Sequence, residues 1–184
     1  MTTLCVYCAS SDSIPARYVE AAHVLGNEIV RRGWGLVYGG GSIGLMGQVA
    51  HVVRDAGGHV IGVIPQALYD REIAFVGASE LIVTQTMRQR KQIMEDRADA
   101  FLTLAGGFGT LEELLEIMTL RLLGYHDKPI VIINTDGYYD ALIAQFERIF
   151  AEQFAPERYR RIYQVVADPL AGCALLAAIF ATPR

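Results

Sequence analysis

Short apolar runs alternate along this chain with longer segments in which apolar residues recur at spacings of three and four. Two-residue alternation or an unbroken apolar run marks a strand, whereas a period of 3.6 marks an amphipathic helix. On that basis strands are predicted over 3–9, 35–39, 59–64, 80–86, 99–105 and 129–134, with a weaker one over 162–166. Helices are predicted over 15–32, 43–56, 87–97, 110–123, 137–152 and 168–181. Runs such as VIGVI at 60–64 and IVII at 130–133 contain no polar position. Such strands are buried on both faces, as in a parallel sheet sandwiched by helices. The class that follows is α/β, a doubly wound parallel sheet of about seven strands with helices on both faces.

No repeat, low-complexity tract or linker interrupts the pattern, so residues 1–184 are expected to form one domain. The longest irregular stretch, 65–79, is expected to cover the carboxyl ends of the strands, where open α/β sheets bind ligands. At 52% hydrophobic residues the chain has ample core, and its net charge of −4 gives no general electrostatic reason to bind nucleic acid or an anionic membrane. The longest apolar run, 170–181, is far shorter than the roughly 20 residues that span a bilayer. No secretory signal precedes the first strand, and three cysteines fit a reducing compartment, so a cytoplasmic location is expected. Cys5 and Cys8 match C-x-x-C, but in a strand residues three apart face opposite sides, which favours two buried cysteines over a redox or zinc pair. The four histidines are scattered without ligand spacing, so no metal is expected.

Residues 102–116, LTLAGGFGTLEELLE, run an apolar strand into a glycine loop and then into a helix. Gly106, Gly107 and Gly109 let backbone N–H groups approach an anion, and the helix N-terminus adds unsatisfied donors with partial positive charge. Glu113 then stands one turn into the helix, beside whatever the phosphate carries. A second reading competes, because Thr110-Leu111-Glu112-Glu113 is also a capping box, with threonine and glutamate satisfying the first amides of the helix.

A literal G-x-G-x-x-G occurs within VYGGGSIGLMG at 37–47. The full dinucleotide fingerprint also needs an acidic residue closing the next strand, and here that strand ends IPQ at 64–66. A tight backbone turn near a smaller ligand fits better, so no cofactor is expected, and Gly39, Gly40, Gly41, Gly44 and Ser10 are taken as support for a phosphate or for the turn. MRQRKQIM at 87–94 opens a helix in which Arg90 falls between Met87 and Met94 at the spacing of one helical face. An arginine so placed is expected to have a fixed partner. Only two of the sixteen basic residues are lysines, Lys91 and Lys128, which disfavours a pyridoxal-phosphate enzyme.

Together, VYGGGSIGLMG, MRQRKQIM and AGGFGTLEE at 105–113 resemble the Lonely Guy (LOG) family, the cytokinin riboside 5′-monophosphate phosphoribohydrolases, also described as possible lysine decarboxylases. The likeness extends from CASSD at 8–12 to DKP and DGYYD at 127–129 and 136–140. It departs from the family pattern at Ala105, where the family has proline, and at Arg88, where it has histidine. The resemblance implies a Rossmann-like fold, a homodimer with active sites at or near its interface, and hydrolysis of the N-glycosidic bond of an adenine nucleoside 5′-monophosphate to free base and ribose 5-phosphate. It implies Arg90 and Glu113 as catalytic residues, and Glu72, Lys91, Gly106, Gly107, Phe108, Gly109, Thr110, Leu111, Glu112 and Thr119 as substrate contacts. Arg90 would hold the ribose or the phosphate, or stabilise the departing base. A carboxylate near the anomeric carbon suits this chemistry, because breaking a ribosyl C–N bond builds positive charge on the sugar. The competing functions are a non-catalytic nucleotide-binding or carrier protein of the same fold and a pyridoxal-phosphate lysine decarboxylase.

Overall fold

The structure, a computed structural model, describes residues 1–71 and 74–182. Strand β1 (Thr3–Tyr7) leads through α1 (Ala16–Arg31) to β2 (Gly35–Tyr38), then through α2 (Gly44–Asp55) to β3 (Val60–Pro65). A single helical turn, α3 (Gln66–Tyr69), opens the connection to β4 (Glu80–Thr84), which is followed by α4 (Met87–Arg97). The second half adds β5 (Ala100–Thr103), α5 (Phe108–Leu123), β6 (Ile130–Ile133), α6 (Asp140–Ala151), β7 (Gln164–Val166) and α7 (Pro169–Ala181). All seven strands are parallel, in the order β4-β3-β2-β1-β5-β6-β7. This is the expected α/β class.

Strand alternation divides the interior into two cores. Leu4, Val6, Leu36, Tyr38, Leu102 and Val131 pack against α1, α2 and α7 on one face. Cys5, Tyr7, Val37, Ile61, Val63, Phe101 and Ile132 pack on the other face, against α4, α5 and α6. Cys5 and Cys8 fall in different cores, and all three cysteines are buried free thiols. Burial pushes the thiols of Cys5 and Cys8 far above the ordinary range, and the negative charge of Glu113 adds to it, so neither supplies a thiolate. Among the described residues no helix is long and apolar enough to cross a membrane.

Several expected boundaries move. The strands end earlier than their apolar runs, because residues such as Ala9, Leu104 and Ala105 pack against the core from loops. Helix α6 begins at Asp140 instead of 137, since Asp136 and Gly137 have φ of 53° and 70° and form a 3-10 turn. A further 3-10 turn, Glu157–Ile162, precedes the short edge strand β7. The irregular connection after β3 does return to the strand ends: Phe75 N–H donates to the Gly40 carbonyl at 2.8 Å and Ala74 bridges Gly41.

Candidate active site

Strand order reverses between β1 and β5, and the crevice at such a switch point is where open α/β sheets bind ligands. Three loops meet there. Ala9 on the loop after β1 donates its N–H to the Ala105 carbonyl at 3.1 Å, and its own carbonyl accepts from Met46 at 3.2 Å. Asp12 Oδ1 accepts from the Gly44 N–H at 3.0 Å. Gly44 has φ of 62°, and a Cβ there would lie 2.6 Å from the Ser10 carbonyl carbon. The backbones of Gly44 and Ser10 therefore pass close to each other where the two loops meet.

Helix α4 reaches this crevice through a well-made start. Thr86 Oγ1 accepts from the Gln89 N–H at 3.2 Å, while Gln89 Oε1 reaches back to the Gln85 N–H at 3.0 Å. This fixes the helix so that only Arg90 and Met94 are buried. Met87, expected on the same face, is 47% exposed. Arg90 runs under the carboxyl ends of β2 and β3, donating from Nε to the Val63 carbonyl at 3.1 Å and from Nη1 to Glu113 Oε1 at 2.8 Å. The guanidinium lies against Gly39, where a Cβ would sit 1.8 Å from Nη2. Gly39 thus makes room for the arginine.

Helix α5 decides between the two readings of residues 110–113. It starts at Phe108, with Gly107 as the N-cap and no side-chain cap. Thr110 lies within the first turn, buried over Gly106, and Glu113 turns inward to Arg90. The capping box is not formed. The first amides of α5 consequently face a cradle in which Gly107 and Gly109 leave open space where side chains would be. Burial pushes the Glu113 carboxyl above the usual range, and Arg90 opposes that shift by charge and by hydrogen bonding. A carboxylate so held is an electrostatic group at a nearly dry site, 8% exposed, one turn from the uncapped start of α5.

Lys91 and Glu112 form a second link between α4 and α5, outside the first. Lys91 Nζ contacts Glu112 at 2.5 Å and Glu116 at 2.8 Å. Burial works to lower its pKa, but the bonds to both carboxylates outweigh it and leave the ammonium more firmly charged. Lys128 Nζ donates to the Glu95 carbonyl at 2.6 Å, so each lysine is engaged. Leu111 packs against the second core, whereas Phe108 projects outward, 93% exposed. Thr119 lines a surface pocket with Phe108, Leu111 and Glu112. It lies six residues after inward-facing Glu113, on the exposed side of α5, and bonds its own helix at Leu115. Glu72 lies outside the described residues.

Sequence reasoning missed the support beneath the glycine loop. Tyr138 Oη donates to the Gly106 carbonyl and Tyr139 Oη to the Leu104 carbonyl, each at 2.7 Å. These bonds span more than thirty residues, so no local pattern announces them.

Residues 46–175 match the family model described as "Possible lysine decarboxylase". The chain is 48% identical over 168 residues to the cytokinin riboside 5′-monophosphate phosphoribohydrolase LOG of Oryza sativa subsp. japonica, covering 91% of this chain and 69% of that protein. A cytokinin riboside 5′-monophosphate phosphoribohydrolase of Arabidopsis thaliana is 47% identical over 168 residues, covering 91% of this chain and 77% of the relative. The chain belongs to this family. Among solved structures, the molybdenum cofactor binding protein of Rippkaea orientalis superposes with a TM-score of 0.75 at 20% identity, covering 98% of each chain. At that identity the likeness shows the Rossmann-like fold, which the LOG family member described here shares, and nothing about ligands.

Proposed function

We propose that the protein is a phosphoribohydrolase, a single nucleotide-binding catalytic domain that hydrolyses the N-glycosidic bond of adenine nucleoside 5′-monophosphates, plain or N6-prenylated. The products are free base and ribose 5-phosphate. The observation that carries the reading is the buried Arg90–Glu113 pair set against the uncapped start of α5. In this reading the 5′-phosphate rests on the amides of 107–110 and places the ribose over Glu113. Arg90 engages Oε1, so Oε2 is the oxygen that faces the sugar and the attacking water. As the C–N bond lengthens, the carboxylate stabilises the positive charge at the anomeric carbon and orients water toward it. The remote phosphate contributes binding energy where the bond breaks. A pure carrier has no need of a carboxylate next to an anion cradle. A lysine Schiff base would require one of two engaged lysines to be released.

The reading includes a cytoplasmic homodimer whose interface uses the outward side of α5. Thr119 lies on that side with Phe108 and Leu115, so a substrate contact by Thr119 would be made across the interface. The test is to incubate the purified protein with AMP and with isopentenyl-AMP and to separate the products chromatographically. Adenine or isopentenyladenine released with ribose 5-phosphate is the expected result. Nucleotide that binds and is recovered intact would favour a carrier.

A further inference from the structure

The segment joining β6 to α6 is built to hold something. Asn134 Oδ1 accepts from the Tyr139 N–H and its Nδ2 donates to Asp140 Oδ1, both at 2.7 Å. Two consecutive residues with positive φ, Asp136 and Gly137, turn the chain so that Tyr138 and Tyr139 both point toward the loop after β5. The Tyr138 ring packs edge-on against Tyr18 at 5.4 Å and against Tyr139 at 4.9 Å between centroids. Arg17 stacks on Tyr18 and pairs with Asp136 at 3.1 Å, closing the cluster. Tyr138 therefore presents its hydroxyl to the Gly106 carbonyl from a fixed position.

The Gly106–Gly107 peptide has a glycine on each side, so little steric resistance opposes its rotation. One orientation aims the Gly107 N–H into the cradle. A rotation by half a turn would aim the Gly106 carbonyl there instead and repel an anion. In a trans peptide the C=O and N–H point in opposite directions, so a bond that fixes one fixes the other.

We propose that Tyr138 is a positioning residue for the phosphate: by holding the Gly106 carbonyl it keeps the Gly107 N–H turned toward the anion cradle. This rests on the phosphoribohydrolase reading for the identity of the ligand but not for the brace itself. Gly106 cannot be stiffened by a side chain, because a Cβ there would lie 2.1 Å from Thr110 Oγ1, so the brace comes from outside the loop.

The experiment uses Tyr138→Phe, which removes one hydroxyl from a residue that is 42% exposed and keeps the ring contacts. Calorimetric titration with ribose 5-phosphate and AMP is expected to show about tenfold weaker binding of each, with adenosine binding unchanged and Tm within about 2 °C of wild type. KM for AMP should rise by the same factor. Loosening of the fold alone would lower Tm and weaken all three ligands together, and equal affinities in both proteins would show the brace to be irrelevant. Either result overturns the proposal. Wild-type protein that binds ribose 5-phosphate but does not cleave AMP would defeat the hydrolase reading alone, and the Tyr138→Phe affinities would still decide the brace. Wild-type protein that binds no ribose 5-phosphate would defeat both.

Discussion

In the proposed reaction two residues, Arg90 and Glu113, carry the chemistry, and their surroundings say how each should respond to change. Glu113→Gln keeps the Oε1 acceptor for Arg90 while removing the charge, so the variant should fold, bind AMP and release base at least about a thousandfold more slowly. Near-normal turnover in a folded variant would strip Glu113 of its catalytic role. The pH dependence has a definite sign. Burial raises the Glu113 pKa above 4.5, so as pH falls the carboxylate takes up its proton earlier than an ordinary one would. Loss of the charge that stabilises the developing oxocarbenium then lowers the rate. The acidic limb of the kcat/KM profile, which reports the free enzyme, should lie above the ordinary carboxylate range, and a midpoint at or below that range would contradict the dry, charge-bearing site. Gly39 is the silent third member of the site. Gly39→Ala places a methyl 1.8 Å from Arg90 Nη2, which forces the guanidinium to move. A cost of about 1–3 kcal/mol in denaturant-measured stability is expected for such overpacking, together with a fall in kcat of an order of magnitude or more. Unchanged kinetics would mean that the arginine's position is not critical.

At the level of elements, the sequence read best where a local signal and the tertiary environment agree. Helix α4 spans the predicted residues, because Thr86 caps it and the extended Ala98 ends it. Helix α5 begins two residues before the prediction, because Thr110 and Glu113 mimic a cap while Gly107 takes that position. In the proposed function that discrepancy matters, because a side-chain cap would occupy the amides that the 5′-phosphate needs. Arg90 and Glu113 were each expected as catalytic residues from the family motif, but their bond to each other was not, and local spacing suggested only that Arg90 has a partner. Its grouping with Met87 failed because Met87 opens the helix on the exposed side. The tyrosine brace was illegible, since 2.7 Å bonds from Tyr138 to Gly106 and from Tyr139 to Leu104 depend on β5 and β6 being neighbours. The uncapped start of α5 yields a prediction of its own, that the 5′-phosphate is required. A charge-assisted hydrogen bond contributes roughly 1.5–3 kcal/mol. Two or three such bonds acting in the transition state should make kcat/KM for AMP at least about a hundredfold higher than for adenosine. Equal values would remove the phosphate from the loop.

On the scale of the whole molecule, one helix is left half covered. The inward side of α5 buries Thr110, Glu113, Leu114, Ile117 and Met118, while Phe108, Leu115 and Leu123 on the same helix are 93%, 43% and 62% exposed. Tyr125, just beyond the helix, is 74% exposed, and Met87 on the neighbouring α4 is 47% exposed. Large exposed apolar side chains gathered on one side of a helix mark an interaction site more often than scattered ones do. The Lys91 bridge offsets part of the negative charge of Glu112 and Glu116 along the same side, which lowers the cost of covering it. A second copy of the chain is the proposed partner, and Thr119 lies on the same exposed side of the helix. Light scattering at micromolar concentration should therefore give a mass of twice 20.2 kDa. Leu115→Glu puts a charge into the middle of that face at a position whose exposure spares the fold. The variant is expected to scatter as a monomer, to keep a Tm close to wild type where the two are compared as monomers, and to lose most of its base release. A monomeric wild-type protein would defeat the dimer, and a monomeric Leu115→Glu with full activity would show that each subunit's site is complete without Thr119 from its partner.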